Sequence, residues 1–455
     1  MKKIVLSVLL LSFLMATGEA KEYSQKDMDH VLKRLDVLEK QTQKDMDELY
    51  ERVDDNEFQA TLNRIKWGGE LEIMDSNIDS KEGSSTTQNG KEYSRSNLLS
   101  TRLRLSMTTI IRDDLKFHGR LSMYKNWSAF NTQTLPDFAQ GRKPNGNSNL
   151  YVERAYVDYS PFEMLTFTLG RQPSSDGPGM TLIENTKRKA TYPSLLFDGA
   201  EDGAIVTFKM MPKSNINPLF RVAYGKAFQD SVDYSNYSGN KLSDDSNVYG
   251  FFYEMSLPTS ILGDNLLVLS YVRADDLVGN PLQADANTTK DTKSLGNMSL
   301  AGVYFENNHV LGSNLNYFIS AGWSMPDSND NSVTLIDSTG TAMPPMKLLS
   351  KNGDAIHVGV RYDFDFGLKL GYEYNHGSKY WFSFTSASTD LLNKLSTRGS
   401  VNDVYAIYQI DINQFIRIGY TDIEYEYTGS GWQIGEPRDT DDFRKRSYFK
   451  YNLRF

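Results

Sequence analysis

The sequence predicts an all-β transmembrane fold, an antiparallel barrel of about sixteen strands preceded by a short α-helix with coiled-coil character. Three observations carry this. Runs of roughly ten residues alternate apolar and polar side chains, the length at which a tilted strand crosses a membrane. Short and long connections between these runs alternate along the chain. The 455 residues include no cysteine, which excludes a disulfide framework, a thiolate metal site and a cysteine nucleophile.

The first element is a leader. MKKIVLSVLLLSFLMATGEA (1–20) has a Lys2-Lys3 head, an apolar centre from Ile4 to Met15, and small residues at Gly18 and Ala20. This is the pattern of a secretory signal peptide cleaved before Lys21. Export, with a cysteine-free mature chain, points to the envelope of a Gram-negative bacterium and, with the barrel, to its outer membrane.

Residues 21–64 form the second element, rich in Lys, Glu, Asp and Gln. Met28, Val31, Leu35 and Leu38 alternate spacings of three and four, a two-heptad seam. The seam fails at Thr42 and Asp45 and partly resumes through Met46, Leu49 and Val53. The expectation is a periplasmic helix that is either solitary or self-associating, with trimerisation or contact with cell-wall material as its uses.

From Ile65 to Phe455 the period becomes two. In LLSTRLRLSMTTII (98–111), Leu99, Leu103, Leu105, Met107 and Ile111 share one face, opposite Arg102 and Arg104. LKFHGRLSMYK (115–125) repeats the pattern with Leu115, Phe117, Leu121 and Met123 opposite Lys116, His118 and Arg120. Tight turns at 112–114, 161–162, 365–366 and 412–413 alternate with long polar connections such as 76–96, 172–202 and 377–401. A soluble sandwich has no reason to sort its loops by parity. A barrel inserted from one side, with turns at one end and loops at the other, does so directly. Closure also removes the unpaired strand edges that lipid cannot satisfy.

SYFKYNLRF (447–455) places Phe449, Tyr451, Leu453 and Phe455 on one face. It resembles the C-terminal strand signature of bacterial outer-membrane proteins. In strand number the chain resembles general porins, whose third loop folds into the lumen as a constriction. Here the third loop, 172–202, starts in GRQPSSDGP and ends in KRKATYPSLLFDGAEDG (187–203), with a compact apolar cluster of Tyr192, Leu195, Leu196 and Phe197. Those two runs also resemble a family of outer-membrane porins recorded mainly as a domain of unknown function. Gly170, Arg171, Gln172, Pro173 and 187–203 carry that resemblance, which implies an exported barrel and no particular substrate. The apolar cluster is expected to anchor the loop to the inner wall, with Lys187, Arg188, Lys189, Asp198, Glu201 and Asp202 as its charged constriction residues.

Parity also gives the lumen. The less apolar faces carry Lys66, Arg102, Arg104, Lys116, Arg120, Arg154, Lys209, Arg221, Arg361, Lys369, Arg417, Lys450 and Arg454. They carry fewer carboxylates, namely Glu70, Glu72, Asp158, Glu254, Asp363, Glu373 and Asp411. The wall is thus basic although the chain has a formal net charge of −9. Arg102, Arg104, Arg120 and Arg154 are expected to form a ladder opposed by Asp198, Glu201 and Asp202, the transverse field of an anion-favouring channel. Simple solvation of a wet wall is the bland alternative.

His118 and His357 point inward without a nucleophile elbow or triad spacing, so the chain does not read as an enzyme. No phosphate-cradling, haem-attachment or complete calcium-loop motif is present, and no cofactor is expected. An acidic exported chain gives no support for nucleic-acid binding. The expected partners are outer-membrane lipid and small polar, preferably anionic, solutes. The rival uses are an envelope anchor tethered through 21–64, or a sheath around a separate redox partner.

Overall fold

The computed structural model describes residues 25–84, 90–127, 150–172, 177–188, 190–199, 201–211, 214–228, 245–257, 262–277, 294–334, 344–385 and 390–455. The leader expected at 1–20 and Lys189 lie outside them. The chain divides into two compact units at Ile65.

The first unit holds one helix, α1 (Gln25–Arg64, 40 residues). No glycine or proline interrupts it, and Asp36–Lys40 (3.8 Å) and Lys44–Glu48 (3.7 Å) pair one turn apart. Such exposed pairs contribute only about 0.3–0.5 kcal/mol each. Leu35, Leu38, Met46, Leu49 and Val53 of the seam are exposed on it.

The second unit is a closed antiparallel barrel. Its strands begin with β1 (Ile65–Glu82), β2 (Lys91–Arg95), β3 (Ser100–Arg112), β4 (Leu115–Asn126), β5 (Leu150–Phe162), β6 (Leu165–Arg171), β7 (Asp202–Lys209) and β8 (Leu219–Phe228). They continue with β9 (Ser246–Met255), β10 (Asp264–Asp275), β11 (Gly296–Asn308), β12 (Leu315–Ser328) and β13 (Gly353–Asp363). The last are β14 (Leu368–Gly377), β15 (Gly399–Gln409), β16 (Gln414–Tyr427) and β17 (Asp439–Arg454). Sixteen strands follow one another around the wall; β2 is a short addition that pairs with β1 in the first long connection. β17 closes on β1 from Glu70↔Arg454 to Lys81↔Phe443. At this seam Gly69 and Phe455 exchange both backbone hydrogen bonds, and a side chain on Gly69 would meet the Phe455 ring.

The alternation behaves as an inverted core. On β13, Ile356, Val360 and Tyr362 face outward and exposed, while His357 and Arg361 face inward and are buried. Water outside would penalise this arrangement; lipid outside demands it, since a charge on the lipid face costs about 2–4 kcal/mol at mid-membrane. No helix of the described residues is long and apolar enough to cross a membrane. The crossing is made by strands.

The long connections gather at one end, here the loop end, and several fold back into the lumen. Leu348 bridges Ile434, tying the connection before β13 to that before β17. Phe197 bridges Phe384, tying the β6–β7 loop to the β14–β15 loop. One continuous apolar cluster joins Tyr192, Leu195, Leu196, Phe197, Trp381, Phe382 and Leu395 of these loops to inward residues of β7–β16, among them Phe252, Val272, Leu300 and Tyr405. The apolar run 192–197 is therefore the anchor its composition predicts.

Candidate functional site

Arg102 and Arg104 from β3, Arg120 from β4 and Arg154 from β5 all face the lumen and are buried. Their counter-charges are carboxylates of the wall itself. Arg102 donates to Glu70 (3.0 Å) and Glu72 (2.8 Å) of β1. Arg104 reaches Glu153 at 3.1 Å, Arg120 reaches it at 3.1 Å, Arg154 lies 3.9 Å away, and Ser122 donates to it.

Strict alternation would turn Glu153 toward lipid. A bulge turns it inward: Arg120 pairs with Arg154 but Leu121 pairs with Val152, leaving Glu153 as the extra residue. The sequence does contain the signal. Outward apolar residues are even-numbered before the bulge (Leu150, Val152) and odd-numbered after it (Ala155, Val157, Tyr159).

The expected opposition between the ladder and Asp198, Glu201 and Asp202 needs correction. Asp202 is the first residue of β7, paired across the strand with Arg171 (3.0 Å). Glu201 packs against the Gly225 backbone on β8. Burial and the neighbouring Asp202 push its carboxyl up to about 8. Asp198 is buried where the two loops meet, its amide donating to the Phe384 carbonyl (2.7 Å). These residues close the loop rather than face β3–β5, because the chain must return to β7 directly after the apolar anchor.

The loop carboxylate that does meet the basic wall is Glu184. Arg417 of β16 donates to it (3.2 Å), as does Lys450 of β17 (3.1 Å), and Lys450 also contacts Glu72 (2.6 Å). Backbone acceptors of the same turn are held too: Arg361 donates to Leu182 O (2.6 Å), Arg417 to Ile183 O, and Arg454 to Glu184 O (3.0 Å) and Asn185 O (2.7 Å). Burial alone would raise the Glu184 carboxyl; Arg417, Lys450 and Arg102 instead hold it well below the usual range.

A few residues on, Arg188 makes a bidentate pair with Glu254 of β9 (2.8 Å each), which Arg221 of β8 shares (2.7 Å). β9 stands half-way around the ring from β17, so the loop spans the lumen. Arg188 therefore joins the loop to the wall at β9. Lys187 is exposed and borders a polar chamber of about 650 Å³ at the turn end.

The β14–β15 loop adds a second lumenal plug. Lys394 sits between Glu373 and Asp403 (2.7 Å to each), with His357 3.3 Å from Glu373. Burial opposes its charge, but the two carboxylates prevail and keep Lys394 protonated. Arg398, fully buried, donates instead to the carbonyls of Trp381 (2.9 Å), Thr428 (2.9 Å) and Trp432 (2.7 Å). Burial brings it down to about 10. None of these loop roles is visible to strand parity.

The lumen therefore has two sectors. Along β7–β16 it is filled by loops on an apolar core. From β16 through β17 and β1 to β5 it is a charged network, in which Arg102, Arg104, Arg120, Arg154, Arg417, Lys450 and Arg454 outnumber Glu70, Glu72, Glu153 and Glu184. No group of three or more His, Asp or Glu able to hold a metal occurs among the described residues.

A closed sheet of sixteen antiparallel strands, apolar outside and charged inside, defines a transmembrane β-barrel of the outer-membrane type. The chain belongs to the family of proteins of unknown function DUF3373, whose pattern matches residues 92–452. No curated protein matches it. Similar solved structures include Salmonella typhi OmpF in complex with daunomycin, 13% identical with a TM-score of 0.45, covering 86% of this chain and 97% of that one. The in-vitro-folded outer membrane protein OmpT of Vibrio cholerae is 12% identical with a TM-score of 0.44, covering 86% and 97%.

Proposed function

We propose that this barrel is an outer-membrane channel for diffusion of small hydrophilic solutes, with a mild preference for anions. The observation that carries the reading is the division of the lumen. The apolar loop core obstructs one side, and the route proposed for a solute is the other sector, whose wall carries Arg102, Arg104, Arg120 and Arg154. Excess cations in a water-filled constriction lower the energy of a passing anion, and their carboxylate partners keep the preference modest. On this reading residues 1–20 direct export to a Gram-negative outer membrane, and transport needs no cofactor. The experiment is swelling of liposomes holding the refolded chain, in neutral sugars and in organic anions of equal size. Faster swelling in the anions supports the reading, and no swelling in either contradicts it.

A second reading rests on α1. Its exposed Leu35, Leu38, Leu49 and Val53 leave an apolar stripe in water, suited to association of copies, as in a trimer, or to holding cell-wall material. Removal of residues 25–64 would then change the oligomeric state and leave conductance unchanged.

A further inference from the structure

The inner face of β17 presents Arg446, Tyr448, Lys450 and Arg454 at every second or fourth position, and β16 adds Arg417 beside them. The Tyr448 ring lies over Gly419, where any side chain would collide with it, and both Arg446 (4.7 Å) and Arg417 (5.3 Å) rest against that ring. Stacking holds both guanidiniums in fixed orientations. Two loops each send one carboxylate to this row. Asp390, from the β14–β15 loop, meets Arg446 (3.4 Å) toward the loop end. Glu184, from the β6–β7 loop, meets Arg417 and Lys450 toward the turn end. Between them Arg417 Nε, Arg446 Nε and the Tyr448 hydroxyl are buried without a hydrogen-bond partner among the described residues. Orphaned, oriented donors of this kind are costly unless an acceptor takes them.

We propose that this row is a binding track for solute carboxylates, and that Glu184 and Asp390 occupy its two ends as internal stand-ins. The proposal rests on the channel reading and names its solute class. An entering carboxylate bonds the orphaned donors first, then replaces a loop carboxylate, so that binding and loop release are coupled. Arg417, Lys450 and Arg446 are the residues that recognise it; Tyr448 positions the two guanidiniums and offers its hydroxyl.

The test uses the full chain refolded in detergent, with succinate as probe and chloride as comparison anion, read by isothermal titration calorimetry. The E184Q/D390N chain is expected to bind succinate about tenfold more tightly than the unsubstituted chain. Adding R417Q should abolish the gain. Equal affinity in the first two chains overturns the proposal, as does a gain that survives R417Q or that chloride reproduces. D390N alone leaves the Glu184 latch in place and serves if the double variant does not fold; it should tighten binding severalfold, and no change overturns the proposal. Channel current is a separate readout. Succinate binding without any current removes the channel reading and keeps the track, whereas current without succinate binding does the reverse.

Discussion

Substituting Glu153→Gln removes a buried carboxylate shared by three arginines. Glu153 is buried with Arg104 and Arg120 each 3.1 Å away and Arg154 at 3.9 Å. Glutamine keeps the volume and an acceptor oxygen but removes the negative charge that three buried guanidiniums share, while Arg104 retains Glu70 at 3.7 Å. Removing one partner from a buried ion pair costs about 3–5 kcal/mol. The same change adds one net positive charge to the proposed path. For an anion passing about 6 Å away through water, Coulomb's law gives ~0.7 kcal/mol in its favour and as much against a cation, or about a tenfold rise in the anion-to-cation permeability ratio. Urea unfolding of the reconstituted barrel reads the first quantity, and reversal potential under a salt gradient reads the second. At low ionic strength, where screening is weakest, both should change together. Unaltered stability would mean that Glu153 is not the hub of the ladder. Intact destabilisation with unaltered selectivity would mean that ions do not pass β3–β5.

Three further outcomes follow from the lumenal loops. Glu184 has a depressed folded-state value, so its stabilisation is complete above the ordinary glutamate range and is lost only as pH falls through that lower value; conductance should therefore hold steady from pH 7 to 5, below the range in which Glu201 titrates, and a transition there that disappears in E184Q would refute the latch. Lys394→Met leaves Glu373 and Asp403 buried together without their shared cation; the expected loss is about 3–5 kcal/mol, with a red shift in Trp381 emission as the loop releases, and wild-type stability would contradict the account. In a chain without cysteine, a Phe197→Cys/Phe384→Cys pair cross-links the two loops at their bridge. Because the proposed path lies in the other sector, oxidation should leave conductance unchanged, and a large fall would show that solutes pass between those loops.

The barrel was legible because lipid imposes one rule on every strand. Leu103 and Leu105 must face out if Arg102 and Arg104 face in, and the sixteen runs, their alternating connections and the closing aromatic strand all obey it. The loop anchor was legible for a related reason, since Leu195, Leu196 and Phe197 cannot remain in water at no cost. Glu153 escapes strand parity because a bulge breaks it for one residue, although the phase change from Val152 to Ala155 marks it. Glu184, Asp390 and Lys394 leave no such signal, because nothing periodic governs a loop's path across a lumen. Their partners on β14–β17 lie from 9 to 270 residues away in the chain. Charge alone places Asp198, Glu201 and Asp202 opposite the ladder, whereas the return of the chain to β7 decides where they sit.

The most direct test is single-channel recording of the refolded full-length chain in a planar bilayer under a potassium chloride gradient. The account predicts steady conductance with a reversal potential displaced toward that of chloride, and a displacement that shrinks when Arg102 and Arg104 are both replaced by Gln. Cation-biased reversal, or silence from a barrel shown to be folded, would contradict it.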